Sequence, residues 1–345
     1  MVQANENIKN QQRVGLRVAE KARQVAVSVV ERQERNMEIE YDRVCSYYGA
    51  LCFAEATGDR GLRERIKVAY TPCLSGEIKP RIDHVDNNLF GILPFELFRQ
   101  TGEHEYLPVA KYLAEEEFDN PREDGLTRYT RFWADDMYMV GSLQAQAHKS
   151  LRDSLYADRG ANHLLAYLQR LQRADGLIQH HPETPIVWAR GCGWAAAGIT
   201  EVLLTLPNHD SKRKLLLNAY QKLADALIEY QTASGMWLQV VDEPDAWPET
   251  SGTGMFIFAL ATGVKERWVD SNSYGEAAER AWRALTTYID SAGRVSETSR
   301  GVAPVGATLS AYLSAPHLTN DFHGLAAVLW AATSLVNLEG IRVRH

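Results

Sequence analysis

Four glycine turns at near-even spacing constrain this chain more than any other feature. Asp124-Gly125-Leu126, Asp175-Gly176-Leu177, Ser234-Gly235-Met236 and Ala292-Gly293-Arg294 stand about 50–60 positions apart. Each lies beside a helical pattern, and the first three lead through a short polar loop to Trp133, Trp188 and Trp247. A unit of that size holds two helices and a loop, the mark of a helical-hairpin array. The 345 residues then divide into roughly six hairpins. The helical patterns also alternate in polarity: residues 211–233 and 274–291 are mixed, whereas 192–205, 253–261 and 324–332 are apolar and rich in Gly and Ala. Small, apolar helices suit tight packing inside a ring of amphipathic ones. The expectation is an all-α, closed (α/α)6 barrel, a six-hairpin toroid, forming one domain over 1–345, with residues 1–10 allowed a disordered start.

Further helices are expected at 8–30, 41–56, 85–100, 106–118, 159–173 and 322–338. Gly58, Gly102 and Gly263 follow helical runs and read as left-handed stops. With 45% hydrophobic and 23% charged residues, the chain can bury a large core and lacks a disordered signature. A net charge of −7 argues against a nucleic-acid surface. Cys45, Cys52, Cys73 and Cys192 form no CxxC pair and no metal spacing, so they read as reduced thiols. No apolar run approaches the length of a membrane span, and the first 35 residues lack an apolar signal core. These features lead to the expectation of a cytoplasmic enzyme, monomeric or homodimeric, with no nucleic-acid or membrane partner.

The densest chemistry lies in Arg131-Phe132-Trp133-Ala134-Asp135-Asp136-Met137-Tyr138-Met139. It reads as a helix entrance, with Met139, Leu143 and Ala147 at four-residue steps on one face. A carboxylate at a helix N-terminus is favoured by the macrodipole. Two in a row among large apolar residues suggest a division: one serves the helix end while the other faces a pocket. A carboxylic acid against an indole, away from water, is expected to have its pKa raised, as a general acid needs. The local pattern fits a capping role and a catalytic role for Asp135 equally.

The loops leading into the apolar helices collect the remaining candidates. They carry Asp83, Asp86 and Asn88; then Trp133 and Asp135; then His180, His181, Trp188, Arg190 and Trp194; then Trp237, Trp247 and Glu249; and last Asn320, Asp321 and His323. Aromatic faces with polar groups between them suit sugar rings, and Arg190 offers a planar, bidentate partner for a carboxylate. Singly, each has an ordinary explanation. The tryptophans can be core, the histidines surface loop residues, Arg190 a loop brace and Asp86 an N-cap. Metal-ligand spacing is missing, so a zinc site is not expected. The functional case rests on their equivalent places in successive repeats.

Residues 41–59, 86–101, 133–139, 176–180, 188–194, 235–242, 249–263 and 320–324 together resemble the unsaturated rhamnogalacturonyl hydrolases, glycoside hydrolase family 105. These are sister to the unsaturated glucuronyl hydrolases of family 88. The most specific pieces are Trp133-Ala134-Asp135-Asp136-Met137-Tyr138-Met139 and Trp188-Ala189-Arg190-Gly191-Cys192-Gly193-Trp194. The resemblance implies an (α/α)6 barrel that takes small oligosaccharides left by polysaccharide lyases and hydrates the C4=C5 bond of their terminal uronate. It implies Asp135 as general acid/base and Asp86 as the second, substrate-orienting aspartate. Trp133, His180, Trp188, Arg190, Trp194, Asp42 and His323 fall on substrate-binding positions, and no metal or organic cofactor is implied. Rhamnose is the family's usual neighbouring sugar, with glucosamine, galactose or sulfated rhamnose as other neighbours. Departures fall at Gly125-Leu126-Thr127-Arg128, Cys192 and Asp42-Arg43, and they bear on the second sugar more than on the reaction. Three rivals stay open: an (α/α)6 sugar epimerase using His180 and His323 across the barrel, a helical scaffold for a protein partner, and a lectin-like binder without turnover.

Overall fold

Among the described residues, twelve helices alternate between two rings. The computed structural model describes residues 2–342, with side chains from 18 to 339. The outer helices are α1 (Val2–Arg35), α3 (Arg60–Ala69), α5 (Leu107–Glu116), α7 (Ser154–Leu171), α9 (Ser211–Tyr230) and α11 (Glu276–Leu285). The inner helices are α2 (Tyr41–Thr57), α4 (Ile92–Thr101), α6 (Asp136–Leu151), α8 (Ala189–Leu203), α10 (Thr250–Lys265) and α12 (Phe322–Arg342). Each inner helix packs on the next, and α12 returns to α2, so the ring closes as the repeat spacing requires. The expectation of a disordered start over 1–10 concerns side chains outside the described range.

Inner and outer helices differ as the polarity alternation demands. Every residue of α6 from Asp136 to Ala147 is buried, and α8 is buried along its whole length. The outer α11 buries only Ala277, Ala278, Ala281, Trp282 and Leu285, one stripe of its surface. Glycine lets inner backbones approach: a Cβ on Gly254 of α10 would stand 2.7 Å from the Ala327 carbonyl carbon of α12. The four spaced turns have φ of 78°, 94°, 95° and 74° at Gly125, Gly176, Gly235 and Gly293, the left-handed region in which a Cβ is strained.

Two local expectations need correction, and two further elements had no expectation. Gly263 does not end its helix, because α10 continues to Lys265. It instead makes room for Tyr220, whose hydroxyl donates to the Ala259 carbonyl at 2.8 Å. The run 85–100 is broken into a short helix (Val85–Asn88), a 3-10 turn (Leu89–Gly91) and α4. Helix α3 went unread, since charged residues dominate it and only Leu62, Ile66 and Ala69 are buried. The second unread element lies between α11 and α12. Strands β1 (Thr298–Ser299) and β2 (His317–Leu318) pair antiparallel and pinch off an excursion over 300–316 that carries a short helix, Leu309–Leu313. Its Val302, Ala307, Tyr312 and Leu313 form a small apolar cluster with Trp188, Val240 and Ala246, apart from the main core.

Candidate active site

The N-terminal ends of the six inner helices bring the candidate residues together. Tyr41 and Asp42 open α2, Asp86 precedes α4, Asp135 immediately precedes α6, Arg190 is in the first turn of α8, Glu249 caps α10 and His323 is in the first turn of α12. Such ends carry partial positive charge and favour anions. The phenol of Tyr41 feels the charges of Arg190, Asp135, Asp86 and Asp42, so these groups are gathered near it.

The tandem acids divide, but not as expected, since neither caps the helix and Asp136 serves a buried ion pair instead. Asp136 is buried, accepts from Arg131 Nε at 2.7 Å and from the Tyr167 hydroxyl at 2.6 Å, and so ties the loop to α6 and α7. Asp135 makes no cap hydrogen bond and keeps 14% of its side chain exposed. Its Oδ2 accepts from His180 Nε2 at 2.9 Å. The expected upward pKa shift of Asp135 is overturned. Burial pushes the carboxyl up, but the hydrogen bond and charge of His180, then Arg131 and Arg190, outweigh it and hold Asp135 below the ordinary carboxylate range. At rest this group is a carboxylate.

Arg131, which sequence reasoning left without a role, joins the two aspartate loops. Its Nη2 donates to Asp86 Oδ1 at 2.8 Å while its Nε holds Asp136. The guanidinium also lies 4.2 Å from the centre of Trp133, fixing that ring at the edge of the site. Asp86 is not an N-cap; His84 is, and its Nδ1 accepts from the Asp86 backbone N–H at 3.1 Å.

His180 is not a surface loop residue. It is buried, its ring packs 4.8 Å from Trp188, and its Nδ1 meets the Tyr312 hydroxyl at 2.7 Å. Trp188 and Trp194 are 2% and 0% exposed, so they lie beneath the site and not at its rim. Trp194 packs tilted against Tyr41 and Tyr138 and edge-on against His323 and Trp330, within an aromatic cluster. Trp247 is farther out, stacked at 3.7 Å on His317.

Arg190 is 1% exposed and held in place by the Ser299 carbonyl, the Ser251 hydroxyl and the ring of Trp188. No carboxylate among the described residues forms an ion pair with it, and its Nε is buried without a partner. Its Nη2 makes no hydrogen bond to the described residues and lies beside Gly301, where a Cβ would stand in ordinary contact at 3.6 Å. A second acidic group faces it: Asp321, pushed up by burial but brought to about 2 by His323 and Arg190. His323 joins Asp321 through Nδ1 at 2.7 Å and Tyr41 through Nε2 at 2.8 Å.

Asp42, Asp321 and His323 offer ligand atoms within 4.8 Å of one another, the one such group among the described residues. Both nitrogens of His323 are engaged, and Asp42 accepts from the Arg43 backbone N–H at 2.9 Å and side chain at 3.0 Å. The donor set is thus satisfied within the protein and fits a polar binding wall better than a metal centre.

With this arrangement in view, comparison with known proteins decides the lineage. Residues 17–339 match the family model described as Glycosyl Hydrolase Family 88. The chain belongs to this family. The family 88 chain is 31% identical over 157 residues to an unsaturated 3S-rhamnoglycuronyl hydrolase of Formosa agariphila, covering 45% of this chain and 40% of the relative. It is 24% identical over 228 residues to the unsaturated rhamnogalacturonyl hydrolase of Bacillus subtilis, covering 60% of this chain and 64% of the relative. The matches therefore span less than two thirds of the length of these curated relatives. A solved structure, a possible member of the GH105 family from Klebsiella pneumoniae, superposes with a TM-score of 0.83 at 23% identity, over 93% of each chain. The family 88 barrel agrees with the resemblance read from the two tryptophan-containing motifs.

Proposed function

We propose that this protein releases the Δ4,5-unsaturated uronic acid from the non-reducing end of lyase-generated oligosaccharides, by hydrating the C4=C5 bond. The carrying observation is Asp135, paired with His180 beside an arginine that has no carboxylate of its own. A uronate fits that vacancy: its carboxylate takes the open side of the Arg190 fork. Its negative charge then offsets the cations that keep Asp135 ionised, so binding raises the affinity of Asp135 for a proton. Substrate binding itself arms the acid.

In the reaction Asp135 gives its proton to C4, and the developing positive charge at C5 is shared with the ring oxygen. The resulting carboxylate takes a proton from water, whose oxygen bonds to C5. The hemiketal opens to a ketone, and the neighbouring sugar leaves from the freed C1 end. One carboxyl serves as acid and then base, unlike the paired-carboxylate scheme of common glycosidases. Asp86, held by Arg131, orients the sugar, and Trp133, Asp42 and His323 line its edges.

Rhamnose is proposed as the neighbouring sugar, since both curated relatives above carry a rhamnose-linked name. An epimerase would need His180 and His323 free to exchange protons with the sugar. Each instead has both ring nitrogens bound by protein groups. The four free thiols fit the cytoplasm, which cell fractionation tests.

The test is loss of the ultraviolet absorbance of the conjugated enol-ether acid in lyase-generated disaccharides from rhamnogalacturonan, ulvan and glycosaminoglycans. Asp135→Asn keeps the hydrogen-bonding shape but cannot deliver a carboxyl proton, so turnover should fall by about a thousandfold or more in a folded protein. Unchanged turnover in Asp135→Asn rules out the assignment.

A further inference from the structure

The excursion over 300–316 places a residue against the proton-transfer pair that no repeat pattern foreshadows. Tyr312 is fully buried, and its hydroxyl stands 2.7 Å from His180 Nδ1 while the opposite nitrogen stands 2.9 Å from Asp135 Oδ2. The imidazole cannot turn away easily. It packs 4.8 Å from Trp188, 5.8 Å edge-on from Tyr312 and 6.4 Å edge-on from Trp133. The excursion is pinned where it brings in Tyr312: the Thr184 hydroxyl donates to the Pro304 carbonyl at 2.5 Å, and Trp188, Val240 and Ala246 cover the base of the phenol.

We infer that Tyr312 is a positioning residue that fixes which nitrogen of His180 carries hydrogen towards Asp135. Burial and the nearby Asp135 charge raise the phenol pKa, so Tyr312 keeps its proton. Facing a neutral imidazole, the carboxylate of Asp135 only accepts and draws the ring hydrogen to Nε2, and the Tyr312 O–H then donates to the Nδ1 lone pair and stabilises that tautomer. Facing an imidazolium, the hydroxyl oxygen accepts from Nδ1–H, and Nε2 again carries hydrogen. In both states Nε2–H points at Asp135. Without this hydroxyl, the neutral ring can hold its hydrogen on Nδ1. It would then present a bare Nε2, which a carboxylate cannot hydrogen-bond. The charged groups facing Asp135 are His180, Arg131 and Arg190, and Tyr312 bears directly on the first of them alone.

The consequence for turnover rests on the proposed role of Asp135; the tautomer does not. The experiment therefore reads both. In full-length protein carrying 15N-labelled histidine, with His180→Gln assigning the signal, the unaltered protein should show His180 with hydrogen on Nε2 at every pH above neutral. A neutral ring with hydrogen on Nδ1 overturns the inference without any variant. Tyr312→Phe keeps the ring and removes the hydroxyl. It should move His180 measurably towards the Nδ1–H form, and unchanged ring-nitrogen shifts overturn the inference. On an unsaturated uronyl disaccharide, Tyr312→Phe should lower kcat about tenfold or more with KM within about twofold, because orientation of the transfer pair is lost and sugar contacts are kept. An unchanged kcat, or a loss confined to KM, removes Tyr312 from the reaction. If the unaltered protein consumes no such disaccharide, the proposed activity fails, while the nitrogen shifts still decide the role of Tyr312.

Discussion

Arg190 shows how much of the site's electrostatics rests on single residues. Arg131 is shared between Asp86 and Asp136, Arg43 is bound to Asp42 and Glu38, and His323 to Asp321. Arg190 is buried with no ion pair among the described residues, and its fixed fork, not merely its charge, suits it to an incoming carboxylate. Replacing it by lysine keeps the charge and loses the second parallel hydrogen bond. A charge-assisted contact of this type contributes roughly 1.5–3 kcal/mol, so Arg190→Lys should raise KM about 10–100-fold. Steady-state kinetics on an unsaturated disaccharide would check this, and an unaltered KM would mean that the substrate carboxylate lies elsewhere. Residue identities at the site were legible where the motif sat beside a helix entrance, as for Asp135 and Arg190. They were not legible where the group arrives from far along the chain. Tyr312 meets His180 across 132 positions, and Tyr41 meets His323 across 282. The direction of the Asp135 shift was misread for the same reason. The sequence displays the adjacent indole and Arg131 four positions away, but not the imidazole of His180 and the guanidinium of Arg190, which together with Arg131 outweigh burial.

At the scale of elements, the hairpin repeat was legible because a glycine with positive φ recurs in the turn of each of four repeats, and the sequence prints those turns directly. Helix α3 was hidden because it buries three side chains on an otherwise charged surface. Gly263 misled because glycine has two uses, a left-handed stop and a close approach, and spacing alone does not separate them. The excursion between β1 and β2 has no counterpart in the other repeats, so no periodicity announced it. The inner ring carries the clearest energetic test. The Cβ of any residue at position 254 would press on the Ala327 backbone at 2.7 Å, and a backbone in a closed ring cannot retreat without moving its neighbours. Gly254→Val should therefore destabilise the fold by about 1–3 kcal/mol, the usual cost of overpacking, or somewhat more. Thermal or urea melts would measure it, with Gly254→Ala intermediate between the two. A neutral effect would show that α10 and α12 slide freely past each other.

For the molecule as a whole, two buried groups contribute opposite terms to the pH dependence of stability. His163 is fully buried, donates from Nε2 to the Asp136 carbonyl at 3.2 Å, and has its pKa lowered to about 3 by burial. The unfolded chain takes up that proton near pH 6.5, the native protein only near 3. Between these values the unfolded state binds more protons, so stability falls as the pH is lowered. At pH 4 this amounts to about 3 kcal/mol relative to neutral solution. Glu117 has the opposite sign. It is buried at the end of α5, accepts from Gln144 Nε2 at 3.0 Å, and leaves Oε1 without a partner. Burial raises its pKa well above 4.5, so the native state binds a proton that the unfolded chain releases, and stability is gained as pH falls towards 4.5. Urea melts across this range should separate the two terms. His163→Gln keeps a donor but cannot titrate, and should remove the acid-side decline between about pH 6 and 4. Glu117→Gln removes a buried carboxylate, and should stabilise the protein at neutral pH while leaving the acid-side slope of His163 intact. If His163→Gln retains the full decline between about pH 6 and 4, the decline does not come from His163, and Asp135 and Asp321 do not supply it either, because their contributions are lost only below the ordinary aspartate range, as the pH drops through their depressed values.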